Sequence, residues 1–269
     1  MANKSKPHNQ FENNPFFIAS NGISLLANRA QPIFILFIIL STLNLFTNSI
    51  SPDPTKYSFD AVSSTIRAWS INEWIFTIES FAIIGLAVVM VSALFNGVAS
   101  YTSAQLARGH KVSLQVAFRN AFENLWPYLW LQVIIFTKLL LWTLLFIVPG
   151  IIMSIRYSLA GVAFYDEKKN LRGNAAIKES IRMTKNGWIT TYASNALLNI
   201  LTLGVVSSIV STGVNATLYK QFESVGNKKP QAHWLSWLTL ALPFILLLAL
   251  STLVIVAALV VSILGTPSR

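Results

Sequence analysis

The sequence predicts an all-α protein: a polytopic transmembrane helix bundle, built as three repeats of an amphipathic interfacial helix plus a helical hairpin, with a seventh span appended. Three observations predict it. Of 269 residues, 54% are hydrophobic and only 11% charged, against about 25% charged in a soluble domain, and mean hydropathy is +0.56. Several mostly apolar runs reach about 18 residues or more, the length that crosses a ~30 Å hydrocarbon core. Basic amphipathic stretches recur between those runs, so the charge lies in separate short connections.

The net charge of +10 therefore reads as Lys and Arg gathered in cytoplasmic segments beside anionic headgroups, and no nucleic-acid partner is expected. The chain has no Cys, which excludes disulfides, thiolate metal sites and Cys nucleophiles.

Residues 1–15 are polar and Asn-rich and predict a disordered tail that is not a cleavable signal peptide. Residues 16–222 predict a six-span membrane domain with repeats over 16–108, 113–165 and 174–222. A linker and the seventh helix fill 223–269. In the first repeat, Ile23, Leu26 and Ala27 share one face, with Asn28 and Arg29 beside them, the pattern of an interfacial amphipathic helix over 16–31. Pro32 opens a span from Ile33 to Phe46 with a polar tail to Ile50. The polar connection 51–72 carries Asp53, Lys56, Asp60 and Arg67, with no positive bias. A second span runs from Trp74 to Ala99 and extends to Leu106.

Ser113 can cap the next amphipathic helix, whose Leu114, Phe118, Ala121, Phe122 and Leu125 make an apolar stripe. A third span runs from Trp126-Pro127 to Val148. Pro149-Gly150 reads as a tight turn, so Ile151 to Tyr165 must return as a fourth span of only about 22 Å at the helical rise. After the charged turn 166–172, Asn174 can cap a third amphipathic helix with Ala176, Ile177, Ser180, Ile181 and Thr184 clustered. The fifth span is Ile189 to Leu203, Gly204 turns the chain, and the sixth is Val205 to Leu218. The last span runs from Trp237 to Leu264, kinked at Pro243.

Lys and Arg gather in 1–32, 101–125, 166–187 and 219–235, and none occurs at 149–150 or 203–204. That asymmetry predicts a cytoplasmic N-terminus and, with seven spans, an extracytoplasmic C-terminus. Two of the amphipathic helices share a pattern: Ala117-Phe118-Arg119-Asn120-Ala121-Phe122 matches Ala176-Ile177-Lys178-Glu179-Ser180-Ile181. Each returning helix carries Gly-Val near its cytoplasmic end, at Gly97, Gly161 and Gly213. Glycine there predicts close backbone packing between helices in lipid.

Across 149–188, PGIIMSIRYSLAGVAFYDEKKNLRGNAAIKESIRMTKNGW, the chain resembles a recurrent bacterial membrane family. That family comprises the membrane domain attached to some glycerophosphodiester phosphodiesterases and the stand-alone YciC-like proteins. The residues that carry the resemblance are Pro149-Gly150, Arg156, Asp166-Glu167 and the Ala-x-x-x-Ser helix at 176–180 before Trp188. The resemblance implies a six-helix core and a bacterial plasma-membrane location. It does not imply phosphodiesterase activity, which belongs to a separate barrel domain that no stretch here could form.

Three ionisable residues fall inside expected spans, where each calls for a role: Glu79, Lys138 and Arg156. Glu79 shares a stripe with Leu86, Met90, Ala93 and Gly97. One expectation is a polar cluster in which Glu79 pairs with Arg156, Lys138 or both. The alternatives are that all three snorkel to the headgroups, or that they serve transport or proton relay. The basic set Lys168, Lys169, Arg172, Lys178, Arg182 and Lys185 predicts either an anionic-lipid contact or an ordinary cytoplasmic surface. His8, His110 and His233 are scattered, with no metal spacing, so no catalytic residue, metal or cofactor is expected. The function expected is a non-enzymatic scaffold, assembly or lipid-interacting component with membrane lipid or another membrane protein as partner. The alternative is a small-molecule or lipid transporter with its site near Glu79, Lys138 and Arg156.

Overall fold

A computed structural model describes residues 11–49, 70–202, 204, 206–226 and 231–264. Every regular element among these residues is an α-helix. In chain order they are α1 (Pro15–Arg29), α2 (Gln31–Ser49), α3 (Ile71–Ala107), α4 (Leu114–Glu123), α5 (Leu125–Leu145), α6 (Ile147–Tyr157), α7 (Ala160–Tyr165), α8 (Asn174–Thr184), α9 (Trp188–Leu201), α10 (Ser207–Val225) and α11 (Trp234–Leu264). Four stretches are long and apolar enough to cross a membrane: Trp74–Ala107, Leu125–Leu145, Ile147–Tyr165 and Trp234–Val260. The pair α1 and α2, bent by 115°, would make a fifth.

The core lies where α1, α3, α7, α8 and α10 meet. Helix α3 shows how burial divides one element. Its 37 residues make a rod of about 55 Å. Residues 74–92 face outward, whereas Val98, Tyr101, Ala104 and Leu106 are buried. Apart from Glu79 the outer half is mostly apolar and stays exposed among the described residues, as suits a lipid-facing helix. Helix α11 packs its first turns on α9, with Ser236 and Thr239 buried, and is exposed from Phe244 to Val260.

Several expectations are corrected. The N-terminal helix does not stand apart from the bundle: Ile18, Ala19, Gly22 and Leu26 are buried, and α1 packs along α10. Nor is the whole of 1–15 a free tail. The Phe11 ring stands 5.3 Å from that of Phe222, and Asn14 caps α1 by accepting from the Phe16 N–H at 3.0 Å. The bend at Ala30 precedes Gln31-Pro32, where Pro32 disfavours helical backbone before it and fits the first turn of α2. In α4, Ser113 does cap, accepting from the Val116 N–H at 3.4 Å. Phe122 of the expected stripe points outward, and Ala117 and Ala121 are the residues buried.

The central hairpin turns earlier than expected, at Phe146, whose backbone is extended (φ −159°, ψ 138°). Pro149 and Gly150 belong to the first turn of α6, where proline forfeits no helical hydrogen bond. Gly150 instead allows close approach to α5, because a Cβ there would lie 2.6 Å from Thr143 Oγ1.

The returning span is broken into α6 and α7 at Ser158-Leu159. The groups freed by the break bond to α8: Ser180 Oγ accepts from the Leu159 N–H at 3.2 Å and donates to the Arg156 carbonyl at 2.6 Å. Asn174 does not cap α8. Gly173, at φ +49°, precedes the helix, and the Asn174 carboxamide accepts from Lys138.

The expected fifth and sixth spans are not among the membrane-capable helices. Helix α9, at 14 residues, is only about 21 Å long. Helix α10 carries Ser207, Ser208, Ser211, Thr212, Asn215 and Thr217 and is buried at the centre of the bundle. The expected 51–72 connection, apart from residues 70–72, and the terminus Thr266 to Arg269 lie outside the described residues.

Candidate functional site

Four basic segments that are far apart in sequence converge at one end of the bundle. Arg108 follows the last residue of α3, Asp166 follows the last residue of α7, and Glu223 lies in the closing turns of α10. Arg108 donates to both oxygens of Asp166, and its other arm reaches Glu223 at 2.5 Å. Tyr219 Oη donates to Asp166 Oδ2 at 2.7 Å, and the Lys168 N–H donates to Asp166 Oδ1 at 3.2 Å. Lys169 bridges Glu179 at 2.7 Å and Glu223 at 3.5 Å. Arg182 completes the set by gripping Glu179 through two bonds of 2.8 Å. The N-terminal segment joins through Arg29, which donates to the Gly109 carbonyl.

The electrostatics follow from this geometry. Burial alone would push the Asp166 carboxyl up, but hydrogen bonds from Arg108 and Tyr219 and the Arg108 charge hold it below its ordinary value. Glu179 is held down to about 2, first by the Arg182 hydrogen bond, against burial, and then by Lys169. Arg108 is raised despite burial, because both its carboxylates favour the charged form. Each of Asp166, Glu179 and Glu223 has a cation in contact. Such an arrangement fixes helix ends, and it leaves no free carboxylate among these three for acid–base work.

Beneath this end lie two hollows of about 320 and about 330 Å³. They share Ser154, Ser158, Ser211 and Asn215 as a common wall. The larger set of linings also includes Asn96, Ser100, Tyr128 and Gln132 on one side and Thr191, Asn195 and Asn199 on the other. Among the described residues no Asp, Glu, Lys, Arg or His lines either hollow.

The structure does not bring the three intramembrane charges together. Among the described residues no ion pair joins Glu79, Lys138 and Arg156. Glu79 is exposed on the outer half of α3. Lys138 Nζ donates to Asn174 Oδ1 at 2.8 Å, toward the ionic end. Arg156 Nε is buried without a partner, while its carbonyl takes the bonds from Ser180 and Thr184. The polar-cluster expectation is corrected accordingly: Lys138 is taken up by Asn174, and Glu79 faces outward on α3.

The three glycines all stand at close approaches. A Cβ on Gly97 would lie 3.0 Å from Tyr165 Oη, and one on Gly161 would lie 3.1 Å from Tyr128 Oη. One on Gly213 would strike the Gly22 backbone. Of the basic set, Lys169 and Arg182 are tied to Glu179, and Arg172 lies 4.4 Å over the Phe164 ring. Lys168, Lys178 and Lys185 are exposed with no ion pair among the described residues.

Sequence reading missed Arg108 and Tyr219 as partners of Asp166, and Glu223 as the second carboxylate on Arg108. A signal was present, since Arg108, Asp166 and Glu223 each lie at or just past a helix end on the Lys- and Arg-rich side. It missed the hollows too, although Asn96/Ser100, Ser154/Ser158 and Ser211/Asn215 repeat at the i, i+4 spacing that puts two polar groups on one helix face. No family model, curated protein or solved structure matches this chain.

Proposed function

We propose that this chain is a multi-pass, non-enzymatic component of a bacterial plasma membrane that acts as a lipid-interacting scaffold. In this reading its ionic end faces the cytoplasm and its C-terminus lies outside. The observation that carries it is polarity along the bundle axis. At one end Arg108, Asp166, Lys169, Glu179 and Glu223 form one bonded network, while the outer half of α3 and α11 from Phe244 to Val260 present apolar side chains on their surface. A fixed base at the headgroups with apolar helices reaching away from it suits a membrane organiser.

The element order supports reading three units, α1–α3, α4–α7 and α8–α10, followed by α11 as the appended span. Each unit begins with a short amphipathic helix and ends in a helix whose glycine meets a neighbour. The resemblance of 149–188 to the YciC-like membrane proteins agrees with that reading. Lys168, Lys178 and Lys185 are then the free cations for anionic headgroups, with about 1 kcal/mol available per residue near the surface.

Reconstitution tests this. In nanodiscs of phosphatidylcholine with phosphatidylglycerol, the protein is expected to melt higher than in phosphatidylcholine alone. The triple variant Lys168→Gln, Lys178→Gln, Lys185→Gln is expected to lose that gain. Equal melting of wild type in both lipids removes the lipid-organising role.

A further inference from the structure

We infer that the paired hollows are a binding site for a neutral, polyhydroxylated ligand, either a free polyol or the sugar headgroup of an uncharged glycolipid. The inference stands apart from the scaffold reading, because it uses none of the residues of the ionic end.

Position is the first ground. Three of the four membrane-capable stretches contribute to the lining: Ser100 from α3, Gln132 from α5 and Ser154 from α6. Polar groups at bilayer depth are expensive unless they meet each other or a wet cavity. Some of these do meet each other, as Ser103 does by donating to the Thr212 carbonyl at 2.9 Å. That is ordinary gluing of helices. The remainder point to something else.

Charge is the second ground. Among the described residues no Asp, Glu, Lys, Arg or His lines either hollow, so an ionic ligand would find no counter-charge there. The ligand must be uncharged.

Hydrogen-bond polarity is the third. The hydroxyls of the wall have their protons committed to carbonyls of their own helices. Ser154 donates to Ile151 O and Ser158 to Ile155 O, each at 2.7 Å, and Ser211 donates to Ser208 O at 3.3 Å. One N–H of the Asn199 amide donates to Asn195 O at 2.6 Å. What is left is mixed: these hydroxyls keep their lone pairs, while the Asn96, Gln132 and Asn215 amides on the lining bring N–H donors, and Asn199 Oδ1 and Asn215 Oδ1 are buried without a partner among the described residues. A buried acceptor left unsatisfied is costly. A neutral lining that offers both donors and acceptors suits a ligand whose groups do both, which a polyol's hydroxyls do, whereas an ammonium only donates and a carboxylate only accepts.

Shape is the fourth. The break between α6 and α7 lies in this wall, with Ser158 on one side and Gly161 on the other. Discontinuous helices of this kind line substrate sites in membrane carriers, and each hollow falls in the size range of small-ligand pockets.

The test uses the full chain in phosphatidylcholine nanodiscs, titrated calorimetrically with mannitol and, in parallel, with succinate. Wild type is expected to bind mannitol saturably and succinate not at all. Asn215→Leu and Ser154→Leu are expected to weaken mannitol at least tenfold while keeping the helical circular-dichroism signal. Ser154 lies exposed at the rim, so its variant carries the test if Asn215→Leu does not fold. A second arm adds a monoglucosyl diacylglycerol to the nanodiscs. Stabilisation that mannitol competes away identifies a headgroup as the source, and mannitol binding alone identifies a free polyol. Folded wild type that binds neither probe shows hollows filled only by water and overturns the inference. Equal mannitol affinity in wild type and both variants places binding elsewhere and does the same, as does succinate binding as well as mannitol.

Discussion

Gly22 of α1 and Gly213 of α10 meet backbone to backbone: a Cβ built on Gly22 would lie 2.5 Å from the Gly213 carbonyl carbon and 2.6 Å from the next amide nitrogen. The obstacle is main chain rather than a side chain that could swing aside. Gly22→Ala and Gly213→Ala should therefore each force the helices apart at a cost of about 1–3 kcal/mol. Gly85→Ala, where nothing lies within 4 Å, should be neutral or slightly stabilising, because alanine is the better helix former. Thermal unfolding in micelles of the three variants checks this, and a Gly213→Ala protein that melts with wild type refutes it.

The break between α6 and α7 depends on one hydroxyl. Ser180→Ala strips the partner from the buried Leu159 N–H and the main partner from the Arg156 carbonyl, with an expected loss of about 1–3 kcal/mol. Thr184→Val removes only a longer, second bond to that carbonyl, at 3.3 Å, and should cost less. The order of the two melting temperatures is the measurement; the reverse order contradicts the role assigned to Ser180.

Arg108 is the bridge between two carboxylates. Its side chain is 15% exposed, and that of Asp166 only 1%. Arg108→Leu strands a buried carboxylate and should cost about 3 kcal/mol or more. Arg108→Lys should recover little, since an ammonium cannot grip Asp166 through two nitrogens while reaching Glu223. Denaturant titration of the two variants decides; a lysine variant as stable as wild type would show that charge alone matters here.

Acid should loosen the same end. Glu179 is held down to about 2 from an ordinary 4.5, and Asp166 is held below its ordinary 3.8. A carboxylate with a depressed folded value stabilises the fold in full above its unfolded value and loses that contribution as pH falls through the folded one. Stability should be flat from pH 7 to about 5 and decline below about 4.5. Glu179→Gln should lower the plateau and flatten the decline. Unfolding curves across that range report both effects, and a variant with the wild-type slope assigns the decline to other groups.

The fold was legible in outline because hydropathy is a property of residues taken one at a time along the chain. Trp74–Ala107 and Trp234–Val260 are apolar for long enough that no neighbour could change their state. Ser113 was legible as a cap because its bond is local. The Phe146 turn was not, because Pro149-Gly150 is equally at home in a turn and in a helix's first turn, and only the approach to Thr143 separates the two. The partner of the N-terminal helix was hidden for a related reason. The stripe of Ile23, Leu26 and Ala27 fits a membrane surface as well as a neighbouring helix, and the glycine that α1 meets on α10 lies 191 positions away, at 213 minus 22.

The site followed the same division. The sequence alone determined that ionisable residues would collect at helix ends on one side, since a bilayer core rejects them wherever they fall in the chain. It also determined the stock of Ser, Thr and Asn on apolar helices. Only the tertiary structure decided which charge meets which. Arg108 found Asp166 and Glu223 rather than a headgroup, Lys138 found Asn174 rather than Glu79, and Arg156 offered its carbonyl rather than its guanidinium. Pairing and cavity shape depend on distances between helices, and those are set by side-chain volumes packed across elements that no local pattern records.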